Sequence, residues 1–341
     1  MSQEIVPRQA GQSLAPALDA SAVSPDYFVQ HYMDFLPRYI ANGSPSAETL
    51  KTYQVRINEF IAWCRAQQQH PLTIQDYGLR VYRGYLLEQQ YSNDSVHGNI
   101  IAVRAFFNVA VKMGLVASNP CTDISTPPVY YNEKPAPFYT TEQIQQLCDV
   151  FADEPSAFIR NRNLLIIYLM AVEGMRTIEV HRACVEDVNL DVGVLMVRGK
   201  GARDRQEPIY FCDGTAQLLH AYLQAIQTEC SDRVIQKDGM LTPLILSDSH
   251  RNELGRISKN GLRYIVNKAL RATKLKRPGQ TCHILRHSCG TNLYDATKDL
   301  RAVQEVLRHK DPKITARYAH VTNRMENRLT STLDIRKRSQ D

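Results

Sequence analysis

Residues 281–290 read Thr-Cys-His-Ile-Leu-Arg-His-Ser-Cys-Gly and form the most specific pattern in the chain. Thr281 is a candidate N-cap, so we expect a helix to begin just after it. His283 and Arg286 are three residues apart and would lie on one face of its first turn. A helix N-terminus that presents an arginine and a histidine together is suited to bind a phosphate group.

Two other interpretations of this stretch remain open on the residues alone. His283 and His287 are four apart, as two ligands of one metal ion can be. The helical zinc-protease pattern requires a glutamate after the first histidine, where this chain has Ile284, and no cysteine pair or carboxylate cluster at recognisable spacing supplies further ligands. The same polar side chains could instead be hydrogen-bonded inside a core, which is the default for such a string in isolation.

A second polar segment follows downstream, where residues 308–312 read Arg-His-Lys-Asp-Pro. Asp311 is a good N-cap and Pro312 a good first helical residue, so a short helix is predicted to start there. His309 would lie in the loop before this helix, and Tyr318 nearly two turns into it. A tyrosine in a helix is usually part of a core, so Tyr318 by itself carries little functional weight.

Two basic residues upstream lie at predicted turns. Residues 174–179 read Gly-Met-Arg-Thr-Ile-Glu and place Arg176 between two helical segments, where a glycine lets the backbone approach a ligand closely. Lys200 lies within Gly-Lys-Gly, between two short apolar runs that predict a β-hairpin with a basic tip. Taken singly, Arg176 is most simply an ion-pairing surface residue and Lys200 a solvated lysine.

The hydrophobic pattern divides the chain into two domains. Four prolines from Pro127 to Pro137 predict an extended linker, and helical periodicity lies on both sides of it. After Thr215 most of the chain is again predicted to be helical, with breaks near Gly239, Gly255 and Gly279. We therefore predict a flexible leader at 1–24, a helical domain at 25–125, a linker at 126–138, a larger second domain at 139–321 and a tail helix at 322–341.

The composition of the 341 residues is that of a globular protein, with 22% charged and 43% hydrophobic residues. The longest apolar run, Leu164 to Val172, is half of the roughly 18 residues that a membrane span requires. The first 25 residues lack the basic and apolar segments of a secretory signal. The eight cysteines form no Cys-x-x-Cys pair, so reduced thiols in the cytoplasm are expected.

Positive charge is concentrated in the last quarter of the sequence. Residues 256–341 contain 20 Lys and Arg against 7 Asp and Glu, a net charge of +13, whereas the whole chain carries +6. A basic block of this size indicates a polyanionic partner, most simply nucleic acid. A solvated basic tail is the alternative on charge alone.

Taken together, these segments resemble the tyrosine recombinase (phage integrase) family. That family carries, in order, an arginine in a Gly-apolar-Arg-x-x-Glu string, a lysine on a β-hairpin, a His-x-x-Arg pair, a further histidine and, nine residues later, a tyrosine nucleophile. This chain has all six in that order: Arg176, Lys200, His283, Arg286, His309 and Tyr318. One departure is Arg308, where the family usually has glycine before the second histidine.

The resemblance implies a site-specific DNA recombinase that works without ATP, a cofactor or a metal ion. Tyr318 would attack a phosphodiester and become joined to the 3′ phosphate, while the two arginines and His309 stabilise the developing negative charge. A tyrosine has a pKa of about 10 and needs help to lose its proton, and His283 is the candidate base. Lys200 would protonate the 5′ oxygen that leaves.

The implied fold is mainly α-helical with a small β-sheet. A SAM-like core-binding domain and a catalytic domain would close on duplex DNA as a C-shaped clamp. The implied DNA partner is a double-stranded core site with inverted repeats. The implied protein partners are three further copies of the chain, which form a homo-tetramer on paired sites, and the resemblance also allows for accessory proteins. The tail carries an apolar stripe at Met325, Leu329 and Leu333, which predicts a helix with one buried face. That face could fold back on its own domain, or it could dock on a neighbouring subunit, as the resemblance implies.

Several functions fit the resemblance. Within recombinases, integration or excision of a mobile element and resolution of DNA dimers are both compatible with these residues. A type IB topoisomerase uses a similar set of Arg, Lys, His and Tyr for relaxation. A non-catalytic DNA-binding accessory protein with this fold is a third possibility, although such a protein would be expected to have lost Tyr318 or an arginine.

Overall fold

The computed structural model describes residues 23–126, 137–198, 206–309, 311–315 and 318. Contacts divide the chain into two compact units, Met1–Tyr130 and Tyr131–Asp341. Most of the predicted leader and linker, the hairpin tip with Lys200, and the whole predicted tail lie outside the described residues. Among the described helices, none is long and apolar enough to cross a membrane.

Four α-helices build the described part of the first unit: α1 (Pro25–Phe35), α2 (Ala47–Ala66), α3 (Asp76–Glu88) and α4 (Asn93–Lys112). Ser24, Ser46 and Ser92 cap α1, α2 and α4, because each hydroxyl accepts a hydrogen bond from a backbone N–H of the first turn. The apolar faces of the helices bury one aromatic core, in which the Phe60 and Phe106 ring centroids are 6.3 Å apart. The predicted helical bundle is confirmed.

Eight helices lie in the described part of the second unit: α5 (Thr141–Asp149), α6 (Ala157–Ala171), α7 (Thr177–Arg182), α8 (Asp213–Glu229), α9 (Lys259–Ala272), α10 (His283–Thr297), α11 (Leu300–Leu307) and α12 (Pro312–Thr315). No residue of helix α6 is exposed, and the helix packs against α5, α7, α8, α9 and α10. A helix of this kind must be central to a core, and α6 is the element around which the unit is assembled.

The sheet of this unit has three antiparallel strands in the order β1 (Val188–Asn189), β2 (Val194–Arg198) and β3 (Gln206–Tyr210). Leu195 on β2 lies opposite Ile209 on β3, and both side chains are buried against the helices. Alternate residues of these strands face away from the core, as expected for a sheet with one covered face. The predicted hairpin strands and the mainly helical fold with a small sheet are therefore confirmed.

The segment between α8 and α9 is less helical than the sequence pattern predicted. Residues 231–257 contain no helix and are held by isolated β-bridges, among them Cys184 to Pro243 and Leu246 to Arg256. Three consecutive apolar residues, Leu244, Ile245 and Leu246, are all buried in this extended segment. A run this short has no helical period to read, so periodicity alone could not separate strand from helix.

Candidate active site

Helix α10 presents the central sequence motif, but its N-cap is Cys282, with no side-chain cap, and not the predicted Thr281. It begins at His283, whose backbone N–H donates a 3.4 Å hydrogen bond to the Thr281 hydroxyl. One turn later the Arg286 side chain is only 2% exposed. The first turn of α10 therefore directs a guanidinium into the protein while the His283 side chain stays exposed.

Two backbone carbonyls fix the buried guanidinium. Arg286 donates through Nη1 to the carbonyl oxygen of Gly174 and through Nη2 to that of Leu307. Burial, and secondarily the nearby Arg176 guanidinium, lower the pKa of Arg286 to about 10. Arg286 is therefore still a cation at neutral pH, and it connects the turn before α7 to the end of α11.

The turn at Gly174 needs glycine for two reasons. Its φ is +62°, a left-handed conformation that costs other residues free energy. A Cβ at this position would lie 2.6 Å from Leu307 Cδ2 and 3.0 Å from Cys289 Sγ. The glycine therefore lets the loop before Arg176 pass directly against α10 and α11.

Arg176 is held by the glutamate three residues after it. Its backbone N–H donates to Glu179 Oε2 at 2.8 Å, and its Nη1 donates to Glu179 Oε1 at 2.6 Å. Burial of Glu179, which is 1% exposed, would raise its pKa, but the cations Arg308 and Arg176 outweigh that effect and the pKa is lowered. Glu179 is therefore a buried carboxylate at the centre of the site.

Two further guanidiniums surround the same carboxylate. Arg308 Nη2 donates to Glu179 Oε2 at 2.8 Å, and Arg286 Nη1 lies 4.0 Å from that oxygen. Cations from three separate segments thus meet at one anion. Such an excess of positive charge is suited to receive a phosphate.

Tyr318 lies in a slot next to α10. Its side chain is 3% exposed, and a Cβ on Gly290 would come within 2.7 Å of the Tyr318 ring carbon Cζ. A 3.3 Å hydrogen bond joins its hydroxyl to His287 Nδ1. The Tyr318 ring is also nearly parallel to that of His309, with centroids 6.3 Å apart.

The histidines have separate positions around this tyrosine. His309 Nδ1 lies 3.0 Å from the hydroxyl of Thr315 on α12, and the His309 backbone N–H donates to Gln304. The His283 ring packs edge-on against His287, with centroids 5.1 Å apart. The nitrogen next to the Tyr318 hydroxyl thus belongs to His287 and not to His283, the base that the resemblance implies.

Five of the six predicted site residues are brought together by this fold, and the sixth, Lys200, lies outside the described residues. Strands β2 and β3 bound its hairpin on either side. Sequence reasoning gave no catalytic weight to Glu179, His287 or Gly290. All three stand inside the quoted motifs, but only packing shows what they touch. Within the described ranges, no three His, Cys, Asp or Glu side chains are grouped as metal ligands would be, so the metal-site alternative gains no further ligand.

Comparison with known proteins identifies this arrangement. The sequence model of the phage integrase family matches residues 137–325, which include all six predicted site residues. The chain belongs to the phage integrase family. A second model, the phage integrase N-terminal SAM-like domain, matches residues 33–114 and so covers most of the first unit's helices.

Relatives within this family are tyrosine recombinases. The chain is 28% identical over 300 residues to tyrosine recombinase XerC of Oceanobacillus iheyensis, covering 85% of this chain and 92% of that protein. It is 28% identical over 303 residues to tyrosine recombinase XerD of Staphylococcus haemolyticus, covering 86% and 94%. The predicted enzyme class, a tyrosine site-specific recombinase, is confirmed, and neither the topoisomerase nor the accessory-protein alternative is supported.

Solved structures show the same fold. The XerH site-specific recombinase bound to a palindromic difH substrate superposes with a TM-score of 0.67 at 20% identity, covering 93% of this chain and 86% of that one. A lambda integrase dimer bound to a COC′ core site gives a TM-score of 0.61 at 16% identity, covering 87% and 77%. The phage integrase fold is therefore present over most of this chain.

Proposed function

We propose that this recombinase cuts and rejoins duplex DNA through a covalent bond between Tyr318 and a 3′ phosphate. The observation that carries the proposal is the position of Tyr318. Its hydroxyl is hydrogen-bonded to His287, and its ring lies beside that of His309. The ring also packs with Cys289 and Leu307, the two residues that contact the turn at Gly174. A purely structural tyrosine does not require two histidines beside its ring and the Arg286 guanidinium nearby.

In the proposed step, the Tyr318 oxygen bonds to phosphorus while the bond from phosphorus to the 5′ oxygen breaks. The phosphoryl group gains negative charge in the transition state, and Arg176 and Arg286 bind its non-bridging oxygens. His309, oriented by Thr315, donates a further hydrogen bond. Attack of a 5′ hydroxyl on the phosphotyrosine reverses the step, so the phosphodiester energy is kept and no ATP is consumed.

Two protons must move in this step. The Tyr318 proton leaves with a histidine as base, and we propose His283 for this role, with His287 between it and the hydroxyl. The edge-on contact of the two imidazole rings supports a shared role. The proton that the 5′ oxygen receives comes from Lys200 on the β2–β3 hairpin. Because the two histidines occupy different positions, separate His283→Ala and His287→Ala variants identify which one limits cleavage.

Duplex DNA is the proposed partner, and the surface charge of the second unit supports it. From residue 254 to residue 294 the sequence contains no Asp or Glu but nine Lys and Arg. Helix α9 and the turn after it expose most of these cations to solvent: Arg263, Lys268, Arg271, Lys274 and Arg277. Such a face attracts a phosphate backbone through counterion release, independently of sequence. The XerH structure, bound to a palindromic substrate, supports a site made of inverted repeats, and the lambda integrase dimer, bound to a core site, supports a DNA core site as the partner.

Assembly into a homo-tetramer is proposed through the tail at 322–341. Its stripe of Met325, Leu329 and Leu333 needs an apolar site. The second unit has a cavity of about 970 Å³ that extends to His309, lined in part by Ile144, Val172, Phe211, Leu293 and Val306. We propose that the tail of a second copy occupies this cavity, which would couple the position of Tyr318 to assembly. A lambda integrase tetramer bound to a Holliday junction supports the stoichiometry.

The biological setting is proposed more broadly. Integration or excision of a mobile element and resolution of DNA dimers both use this chemistry, with or without accessory proteins. The eight cysteines are all free thiols, which supports a reducing compartment such as the cytoplasm. Sequencing the DNA that is trapped covalently on Tyr318 in cells would identify the target site and separate the two roles.

The test of the proposed function is a pair of matched substitutions. Tyr318→Phe removes one oxygen, so it should bind a nicked suicide substrate normally but form no covalent adduct on a denaturing gel. Tyr294→Phe is the control, because Tyr294 packs against the same small cluster. An adduct that persists in Tyr318→Phe would overturn the assignment, and loss of the adduct in Tyr294→Phe alone would transfer the role to Tyr294.

A further inference from the structure

Arg308 adopts a backbone conformation that is unfavourable for arginine. It ends α11 with φ +53° and ψ +48°, and its N–H donates to the carbonyl oxygens of Gln304 and Glu305. Left-handed geometry of this kind normally selects glycine, which is the residue that the resemblance led us to expect here. Arginine at this position therefore carries a backbone strain that glycine would not.

The Arg308 side chain turns into the site instead of into solvent. It is 8% exposed, with Nη1 donating to the Val306 carbonyl oxygen and Nη2 to Glu179 Oε2, both at 2.8 Å. Its Nε is buried without a hydrogen-bond partner in the described structure. The guanidinium is thus largely removed from water, and its one ion pair, with Glu179, joins two segments 129 residues apart.

This ion pair changes how the other cations are held. Arg176 Nη1 binds Glu179 Oε1, and Arg308 Nη2 is the side-chain partner of Oε2, which also accepts from the Arg176 backbone N–H. Arg286 lies 4.0 Å from the carboxylate. Arg286 is fixed by the two carbonyl groups of Gly174 and Leu307 instead. The three guanidiniums and one carboxylate leave two positive charges uncompensated, which matches the charge that a phosphodiester reaches on attack.

We propose that Arg308 is a positioning residue for DNA cleavage, acting through Glu179. It occupies the second carboxylate oxygen, so Arg286 remains available to the phosphate. It also fastens the segment with His309 to the segment with Arg176. This proposal rests on the proposed phosphate-binding roles of Arg176 and Arg286, and it assigns no contact between Arg308 and DNA.

The experiment compares Arg308→Lys, Arg308→Gln and Arg308→Gly in single-turnover cleavage of a saturating suicide half-site. We expect Arg308→Gln and Arg308→Gly to cleave about 10- to 100-fold more slowly, as misplaced groups do. Arg308→Lys should keep most of the rate, and half-site affinity should change less than about threefold in all three variants, as expected for a group that does not touch DNA. Arg233→Gln is the control, since Arg233 forms a half-exposed ion pair with Glu253 elsewhere in the unit.

Two measurements separate positioning from simple stability. Arg308→Gly relieves the left-handed strain, so its melting temperature should equal or exceed that of Arg308→Gln while its cleavage remains slow. In a Glu179→Gln background, Arg308→Gln should lower the rate by less than about threefold further, because the pair acts as a unit. Wild-type rates in Arg308→Gln, or rates that follow melting temperature, would overturn the proposal. Failure of the wild-type chain to form an adduct would instead overturn the proposed function.

Discussion

Replacing Gly174 by alanine should disrupt the site from the backbone outward. The added Cβ would lie 2.6 Å from Leu307 Cδ2, whereas ordinary van der Waals contact begins at 3.4 Å. The turn, α11 or the Leu307 side chain must therefore shift by the difference, about 0.8 Å. The Gly174 carbonyl oxygen accepts from Arg286, and Arg176 follows two residues later. The displacement therefore reaches both guanidiniums that are proposed to bind the phosphate.

The expected cost has two parts. A left-handed alanine costs about 1–2 kcal/mol, and packing an extra methyl group into a filled site costs about 1–3 kcal/mol. Gly174→Ala should thus lower the free energy of unfolding by about 2–5 kcal/mol. Misplacement of catalytic groups by nearly 1 Å should slow cleavage by about 100-fold in the fraction that remains folded.

Gly239 provides the matched control. Its φ is +66°, but no atom lies within 4 Å of a Cβ built on it. Gly239→Ala should therefore show only the conformational cost, about 1–2 kcal/mol, and unchanged cleavage. Urea unfolding and single-turnover cleavage would be measured for both variants. In a Leu307→Ala background the effect of Gly174→Ala on stability should shrink. Equal losses at Gly174 and Gly239, with normal cleavage by both variants, would refute the reasoning.

Three further outcomes are expected. The pKa of Glu179 is lowered in the folded protein. Its negative charge therefore stabilises the fold fully at pH values above its pKa in the unfolded chain, about 4.3. This stabilisation is lost as the pH falls through the lower pKa of the folded protein. Glu179→Gln should therefore lose about 3–5 kcal/mol at pH 7 and clearly less at pH 3, and a pH-independent loss would contradict the assignment. Lys200→Ala should cleave normal DNA slowly but recover on a substrate with sulfur at the 5′ bridging position, since a thiolate leaves without a proton; equal defects on both would show that Lys200 only binds phosphate. A chain ending at Val321 should bind a half-site but form no four-subunit complex on native gels, and normal tetramers would exclude tail docking.

Much of the site could be predicted because its residues have local signatures. His283 and Arg286 are one turn apart at the start of α10, and Asp311-Pro312 starts α12 as expected. These are properties of a few adjacent residues, so the sequence contains them. The strands on either side of Lys200 could be predicted for the same reason, because each contains a short apolar run. In the structure, β2 and β3 alternate in burial.

The remaining parts of the site depend on contacts between distant segments. The pairing of Glu179 with Arg308, and of Tyr318 with His287, arises only when α7, α10 and α11 are packed together. The need for glycine at position 290 likewise arises only because the Tyr318 ring packs against it. A single sequence shows which groups are available, but it does not show which of two neighbouring histidines faces the hydroxyl.

The distances along the chain between these groups affect how the enzyme is made. Arg286 is bound to a carbonyl 112 residues earlier, and Arg308 to a carboxylate 129 residues earlier. Contacts of such long sequence separation form late in folding, because a large loop must close first. A ribosome-bound chain that has reached only α9 has Arg176 and Glu179 but neither Arg286 nor the tyrosine. Chains that end before Arg286 therefore lack part of the proposed site, and the whole site can assemble only after the second unit has been synthesised.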